Sequence, residues 1–151
     1  MKITAKADYA VRATAELAAS RPNYVTAEKI ALAQSIPQPF LTSILQALRR
    51  AGIVESRRGA DGGHRLAMEA KEVTIADVIR VIEGPLAGVA GRAPEDLSAT
   101  GAAVLLPQVW VATRSALREV LEVVTFDDVV TQRLPTEVRR RLDAPGAWRR
   151  R

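Results

Sequence analysis

Residues 25–67 contain two short helical patterns followed by two short strand patterns, and this order constrains the fold more than any other feature. Thr26 is a good N-cap for the first helix, and Val25 and Ile30 have the spacing of a hydrophobic staple. A turn at residues 34–36 separates this helix from the next. In the second helix, apolar residues recur at i, i+3, i+4 and i+7, which predicts a buried stripe of Leu41, Ile44, Leu45 and Leu48.

The two strand patterns meet at a glycine-rich turn. Ile53 and Val54 open the first strand and Leu66 closes the second, and the Asp-Gly-Gly at 61–63 is a strong turn signal. Helix, turn, helix and then hairpin is the order of a winged helix-turn-helix domain. The sequence therefore predicts a mainly α fold with a small β-hairpin wing.

Two polar surfaces of this region favour DNA binding. The second helix carries neutral hydrogen-bonding side chains opposite its apolar stripe, and such groups suit base edges in a major groove, although many polar helix faces are only solvated. Arginines on a hairpin can contact phosphate or enter a narrow minor groove, although edge charges also prevent strand pairing. The candidate DNA-binding residues are Gln38, Thr42, Ser43 and Gln46 on the helix, Arg57, Arg58 and Arg65 on the hairpin, and Lys2.

Charge is distributed unevenly along the 151 residues. Residues 1–70 carry ten Lys and Arg against six Asp and Glu, residues 71–132 carry five against nine, and residues 133–151 carry seven against two. A basic first segment supports contact with phosphate. The sequence contains no cysteine, which excludes a disulfide, a zinc–thiolate site and a cysteine nucleophile within these residues.

The chain divides into four predicted segments. Residues 1–85 form the winged helix-turn-helix domain, which ends at the helix stop of Gly84-Pro85. Residues 86–102 show no period and form a loop. Residues 103–134 contain a long helix from about 103 to 124 and a short helix after it. Residues 135–151 form a basic tail.

The long helix is predicted to be a dimerisation helix because its apolar surface is too wide for one partner. An unusually wide apolar stripe suggests burial on two sides, one against the chain's own domain and one against a second copy. The alternative is a helix buried in its own core. The candidate dimerisation residues are Val109, Trp110, Leu117, Val120, Leu121 and Val124.

Several long motifs resemble one known family. They are MKITAKADYAVRATAELA at the start, IPQPFLTSILQALRRAGIVESRRGADGGHRL in the middle and VTIADVIRVIEGP at Val73–Pro85. They resemble the IscR/NsrR-type (Rrf-two) family of bacterial winged helix-turn-helix transcription regulators. The resemblance implies a homodimer that binds palindromic DNA, with Arg58 in the minor groove. It also implies that Phe40 contacts the sugar-phosphate backbone, although core packing is the alternative for Phe40.

In this family three cysteines hold an iron–sulfur cluster, with a histidine ligand in one subgroup. The resemblance places these positions near Arg92, Ser98, Val104 and Pro107, and none is a thiol or a histidine. Clusters prefer soft thiolate ligands. The sequence therefore predicts a regulator with no cofactor that acts independently of iron and sulfur.

No catalytic constellation accompanies these motifs. The one histidine, His64, lies on the hairpin, and no Ser-His-Asp or two-metal set is visible, so the chain is not expected to be an enzyme. The predicted function is a sequence-specific, cytoplasmic transcriptional repressor whose partners are double-stranded DNA and a second copy of itself, with no membrane segment. The alternative is a winged-helix protein–protein adaptor, or a regulator controlled by a small molecule or a partner protein.

Overall fold

The computed structural model describes residues 3–149 and has the predicted mainly helical fold with a hairpin wing. Strands β1 (Val54–Arg57) and β2 (Gly63–Leu66) are antiparallel, with Val54 opposite Leu66. Short 3₁₀ turns lie at Ala70–Glu72, Pro94–Asp96 and Gly101–Ala103. The helices are α1 (Ala5–Ala19), α2 (Ala27–Gln34), α3 (Gln38–Arg50), α4 (Ile75–Glu83), α5 (Leu106–Leu121), α6 (Phe126–Val130) and α7 (Thr136–Leu142).

Threonine caps set the starts of four helices. Thr4, Thr26, Thr74 and Thr125 each accept a hydrogen bond from the backbone N–H three residues later. At Thr74 and Thr125 the carboxylate of the aspartate three residues on accepts a hydrogen bond from the backbone N–H of the cap residue, which completes a capping box. These caps satisfy N–H groups that have no partner within the helix, and the cap at Thr26 confirms the helix start that the sequence predicts there.

The core of the N-terminal region forms where α3 packs against α1. The predicted stripe of Leu41, Ile44, Leu45 and Leu48 is buried, and it meets alanines and Leu17 of α1. The small α1 side chains let the two helices approach closely. Thr14 is fully buried among them, and its hydroxyl donates a 2.8 Å hydrogen bond to the Ala10 carbonyl, which satisfies its polar atom.

A residue from far along the chain completes this core. Phe126 of α6 is fully buried and belongs to the same apolar cluster as Leu17 and Leu41. Its segment is fixed by backbone hydrogen bonds, from Phe126 N to the Val73 carbonyl and from Ile75 N to the Val124 carbonyl, both 3.0 Å. The core of the predicted first domain, residues 1–85, therefore includes a side chain from beyond residue 120.

Helix α5 is shorter than the predicted span of 103–124, and none of its residues is buried in this chain. It starts at Leu106 because residues 101–103 form a 3₁₀ turn, and Pro107 fits its first turn. It ends at Leu121, which frees Val124 to pair with α4. A cavity of about 740 Å³ separates α5 from α1, α4 and the 84–93 loop. Within residues 3–149, no helix is long and apolar enough to cross a membrane.

The C-terminal helix α7 is attached by one apolar and one polar contact. Val138 is buried, and Arg141 forms an ion pair with Glu119 of α5. The predicted basic tail at residues 135–151 therefore begins with an ordered helix that packs against the preceding segment.

Replacing Phe126 by alanine should lower the free energy of unfolding by about 3–5 kcal/mol, the usual cost of removing a buried phenyl ring. Urea denaturation at equilibrium measures this loss. Leu32→Ala is the matched control, because Leu32 is 87% exposed and its truncation should change stability by less than about 0.5 kcal/mol. If Phe126→Ala lowers the free energy of unfolding by less than about 1 kcal/mol, the result would contradict the burial of Phe126 in one core with α1 and α3.

Candidate nucleic-acid interface

The polar face of α3 is exposed as the sequence predicts. Gln38, Thr42 and Gln46 are four residues apart and lie on one exposed stripe opposite the buried leucines. Ser43 is half-buried at its border, and its hydroxyl donates a 2.9 Å hydrogen bond to the Phe40 carbonyl. Gln38, Thr42 and Gln46 therefore present amide or hydroxyl groups that form no hydrogen bond with residues 3–149, whereas Ser43 retains only acceptor capacity.

Phe40 is partly exposed and partly packed, so it fits neither a pure backbone contact with DNA nor a pure core position. It is 45% exposed, and its ring packs edge-on against Tyr9 of α1 with 5.8 Å between the ring centres. Phe40 and Ser43 line an open pocket together with Lys6. The start of α1 therefore adds a cation beside the start of α3. Lys2, the other predicted cation of this region, lies outside the described residues.

Arg12 joins α1 to the helix-turn-helix instead of facing a ligand. Its Nη2 donates a 2.8 Å hydrogen bond to the Gln34 carbonyl at the end of α2, and its guanidinium lies 5.2 Å from the Tyr9 ring centre. A cation at a helix C-terminus is favourable because carbonyl groups there have no partner within the helix. Arg12 therefore fixes the turn that precedes α3.

The wing is attached to the helix-turn-helix by backbone pairing with Val25. Val25 and His64 exchange two N–H to carbonyl hydrogen bonds of 2.8 Å. A Cβ at Gly63 would lie 2.5 Å from the Val25 carbonyl oxygen, and Gly63 has a φ of +141°. Glycine at 63 is therefore required by the close approach of Val25, in addition to the turn that the sequence predicted.

The two faces of the hairpin have different surroundings. Because strand side chains alternate, Val54 and Leu66 point into the core whereas Glu55, Arg57 and Arg65 share the other face. On the core side the Ser56 hydroxyl lies 2.9 Å from His64 Nδ1. Burial, with a smaller effect of the Arg49 charge, lowers the pKa of His64.

Tyr24 covers the outer face of the hairpin and contacts both strand arginines. The guanidinium carbons of Arg57 and Arg65 each lie 4.6 Å from its ring centre. One oxygen of Glu55 accepts hydrogen bonds from Arg65 Nε at 2.5 Å and from the Tyr24 hydroxyl at 2.9 Å. Arg57 and Arg65 remain predicted DNA contacts, but in this structure both are engaged by the protein itself.

Arg58 differs from the other two arginines. It is exposed just past the end of β1, and none of residues 3–149 forms a hydrogen bond or ion pair with its side chain. Sequence reasoning did not find Tyr24 and Glu55. The contact between Glu55 and Arg65 could have been predicted if the hairpin register had been known, because Glu55 lies directly opposite Arg65.

The candidate dimerisation residues fall on two sides of α5. Trp110, Leu117 and Leu121 line the cavity that faces the chain's own α1 and α4, and Leu121 packs against the cluster that contains Ile79. Val109 lies on the outer side and is 50% exposed. Val120 is half-buried.

The prediction that Val124 lies in the dimer interface is wrong, because only 6% of its surface is exposed and its own chain buries it. It follows the end of α5, where the backbone turns to pair with α4. Its side chain is therefore unavailable to a partner.

Comparisons with known proteins agree with this geometry. The model of the Rrf2 family, described as iron-dependent transcriptional regulators, matches residues 3–132. Rv1287 of Mycobacterium tuberculosis, named as an HTH-type transcriptional regulator, is 45% identical over 139 residues, which is 91% of this chain and 86% of its own. The HTH-type transcriptional regulator CymR of Bacillus subtilis is 33% identical over 132 residues, 87% of this chain and 91% of its own.

Solved structures with similar folds include two regulators. The structure of CymR, titled the global cysteine regulator of B. subtilis, superposes with a TM-score of 0.74 at 32% identity and covers 87% of this chain and 98% of its own. IscR of T. potens superposes with a TM-score of 0.72 at 31% identity and covers 87% of this chain and 88% of its own.

The iron named in the family description does not fit the residues of this chain. The sequence has no cysteine. Near two of the ligand positions that the resemblance implies, the Arg92 guanidinium donates a hydrogen bond to the Asp96 carbonyl and the Val104 side chain is apolar. In residues 3–149, no three His, Cys, Asp or Glu side chains are grouped closely enough to hold a metal ion.

Glu55 should give the wing a pH-dependent stability. Hydrogen bonds from Arg65 and then from Tyr24 hold the pKa of Glu55 below its ordinary value of 4.5. A carboxylate with a lowered folded pKa stabilises the protein above its unfolded pKa, and this contribution is lost as the pH falls through the folded value. Wild type should therefore exceed Glu55→Gln in stability at pH 7, and the difference should shrink below about pH 4.5.

Urea denaturation of both proteins between pH 7 and pH 3 measures this difference. Glu137→Gln on α7 is the control for the loss of one acidic group, because the Glu137 carboxylate forms no hydrogen bond or ion pair with residues 3–149. A stability difference for Glu55→Gln that is constant across this pH range would count against the charged cluster.

Proposed function

Because this chain belongs to the Rrf2 family of HTH-type transcriptional regulators, we propose that it represses transcription as a homodimer on a palindromic operator. The α3 face contacts bases in the major groove, and the wing contacts the adjacent minor groove. No iron–sulfur cluster takes part, which is supported by the absence of cysteine from the sequence. The predicted segments keep their roles, with residues 1–85 binding DNA and residues 103–134 forming the dimer.

One observation carries the DNA-binding proposal. The exposed stripe of Gln38, Thr42 and Gln46 begins at the N-terminal end of a well-buried helix, and it comes with a wing that bears the unengaged Arg58. In helix-turn-helix proteins the N-terminal residues of the second helix reach base edges. Amide side chains at this place suit bidentate hydrogen bonding to adenine.

Recovery of the DNA bound in cells, followed by gel shift at moderate salt, tests the proposal. Preferential retention of one palindromic sequence over random DNA is the expected result. Equal and weak retention of both would favour the alternative function, a protein–protein adaptor. An effector, either a small molecule or a partner protein, would then be sought by adding candidates to the operator complex.

Gln38→Ala should weaken operator binding by about 1–3 kcal/mol and relax the preferred base at one position, because Gln38 would read a base edge. Competition binding against a panel of single-base operator variants measures both effects. Gln108→Ala on α5 is the matched control, because Gln108 is also an exposed helical glutamine but lies far from α3 in the chain. An equal loss on operator and random DNA would contradict base readout by Gln38.

The dimer proposal is supported by the exposed apolar surface of α5. Val109, Ala112 and Ala116 lie on the outer side of the helix and are exposed in one chain, whereas Leu117 and Leu121 face inward. Exposed apolar residues continue before the helix at Val104, Leu105 and Leu106. Contiguous apolar surface of this kind marks interaction sites. In a two-fold pair this stripe would meet its own copy.

Val109→Asp combined with Ala116→Asp should give a folded monomer, because neither side chain is buried in its own chain while both would lie in the dimer interface. Affinity for the full palindrome should fall by about 10²–10⁴, the usual effect of uncoupling two linked sites. Sedimentation and operator titration measure the two changes.

Ser115→Asp places the same charge on another side of α5 and should leave the dimer intact. A double variant at Val109 and Ala116 that still sediments as a dimer would show that the outer stripe of α5 is not the interface. The test avoids Leu117 and Leu121 because both line the cavity that faces α1 and α4 of their own chain.

A further inference from the structure

Tyr24 lies at the junction between the wing and the helix-turn-helix, although nothing in its sequence context marks it as functional. It precedes Val25, whose backbone pairs with His64, so its position is fixed relative to β2. Its ring is half-buried beneath the guanidinium groups of Arg57 and Arg65, each 4.6 Å from its centre. A cation held over an aromatic face is attracted by the negative charge density of the ring.

These contacts form a cluster of two guanidinium groups, one carboxylate and one aromatic ring, which has one positive charge in excess. Glu55 supplies the one carboxylate of the cluster. One of its two oxygens, Oε1, accepts hydrogen bonds from both Arg65 and the Tyr24 hydroxyl. The hydrogen bond to Glu55 raises the pKa of Tyr24 above its ordinary value of 10.0, at which the hydroxyl is already protonated at neutral pH. Arg65 Nη1 also donates to the Pro22 carbonyl at 3.3 Å. Arg65 is thereby fixed from three directions, by the ring, by the carboxylate and by a backbone carbonyl.

Arg57 extends the cluster to the tip of the wing. While its guanidinium lies over Tyr24, its Nη2 donates a 2.7 Å hydrogen bond to the Asp61 carbonyl. Residues 58–61 therefore form a loop that is closed by Arg57 at its base, and Arg58 is the first residue of this loop. The Tyr24 ring, the Arg57 guanidinium and the Asp61 carbonyl make a continuous series of contacts from the helix-turn-helix to the Arg58 loop.

We propose that Tyr24 is a positioning residue for DNA binding, which holds the wing through Arg57 and Arg65 so that Arg58 alone is presented to the minor groove. The inference rests on the proposed function, because it assigns a role to the wing in DNA recognition. Tyr24 itself contacts no DNA in this arrangement. The preference of the wing for a narrow groove depends on Tyr24, because a misplaced Arg58 gains nothing from the stronger potential of an A-tract.

The test compares binding to two operators that differ only in their flanks, one with an A-tract and one with G·C pairs at the position of the wing. Wild type should prefer the A-tract operator. Tyr24→Leu should lose this preference to the same extent as Arg58→Ala, and the double variant should lose no more than either single variant. Tyr24→Phe keeps the ring beneath both guanidinium groups and should retain the preference.

A role in stability alone predicts a different pattern. It would lower the melting temperature and weaken binding to both operators equally, and its effect would add to that of Arg58→Ala. Such equal and additive losses, or an unchanged A-tract preference in Tyr24→Leu, would overturn the proposal. If Tyr24→Leu fails to fold, Arg57→Met replaces it, because this change breaks the contacts to the ring and to Asp61. Full A-tract preference in Arg57→Met would then overturn the proposal.

A measurement without DNA separates this inference from the proposed function. The side-chain Nε–H signals of Arg57 and Arg65 in nuclear magnetic resonance spectra should be displaced by the Tyr24 ring current in wild type and in Tyr24→Phe. In Tyr24→Leu the Arg57 signal should return to an ordinary value and the Arg65 signal should shift to the value set by its hydrogen bond to Glu55, whereas the Arg58 signal should be ordinary in all three. Undisplaced signals in wild type refute the cluster, and a wild-type protein that binds no DNA refutes the proposed function.

Discussion

The arrangement of the proposed DNA-binding surface depends on one backbone contact, the pairing of Val25 with His64. These two residues exchange both of their available hydrogen bonds, and they join the segment before α2 to the second strand of the wing. The pairing requires glycine at 63, because any side chain there would collide with the Val25 carbonyl. It places the wing beside the helix-turn-helix, and it brings Tyr24 onto the outer face of the hairpin.

Features set by neighbouring residues could be predicted from the sequence, and those set by distant contacts could not. The α3 stripe, the threonine caps and the stop at Gly84 follow from local spacing, and the structure confirms them. Phe126 and Tyr24 have no such local signal, because their roles come from partners that are distant in the sequence. Phe126 packs with α1 and α3, and Tyr24 packs with a hairpin whose register had to be known first.

The long helix illustrates a second limit of pattern reading. Two apolar stripes were visible along α5, but the pattern does not say which faces the chain's own domain. The structure shows that Leu117 and Leu121 face α1 and α4, and that Val124 belongs to the interior of this chain. The outer stripe around Val109 stays exposed, and none of the 16 residues of α5 is buried in this chain. Its apolar surface therefore remains in contact with water in a single chain.

The ordering of the wing arginines has a consequence for conformational entropy. A free arginine side chain samples many rotamers, and fixing one costs about 1.5–2 kcal/mol. In this chain Arg57 and Arg65 are already ordered by Tyr24, Glu55 and backbone carbonyls, so this cost belongs to folding. Association with a ligand at the wing then has to order the Arg58 side chain alone. In the proposed complex the hairpin approaches its target with Arg57 and Arg65 already ordered, and the Arg58 side chain is ordered on binding.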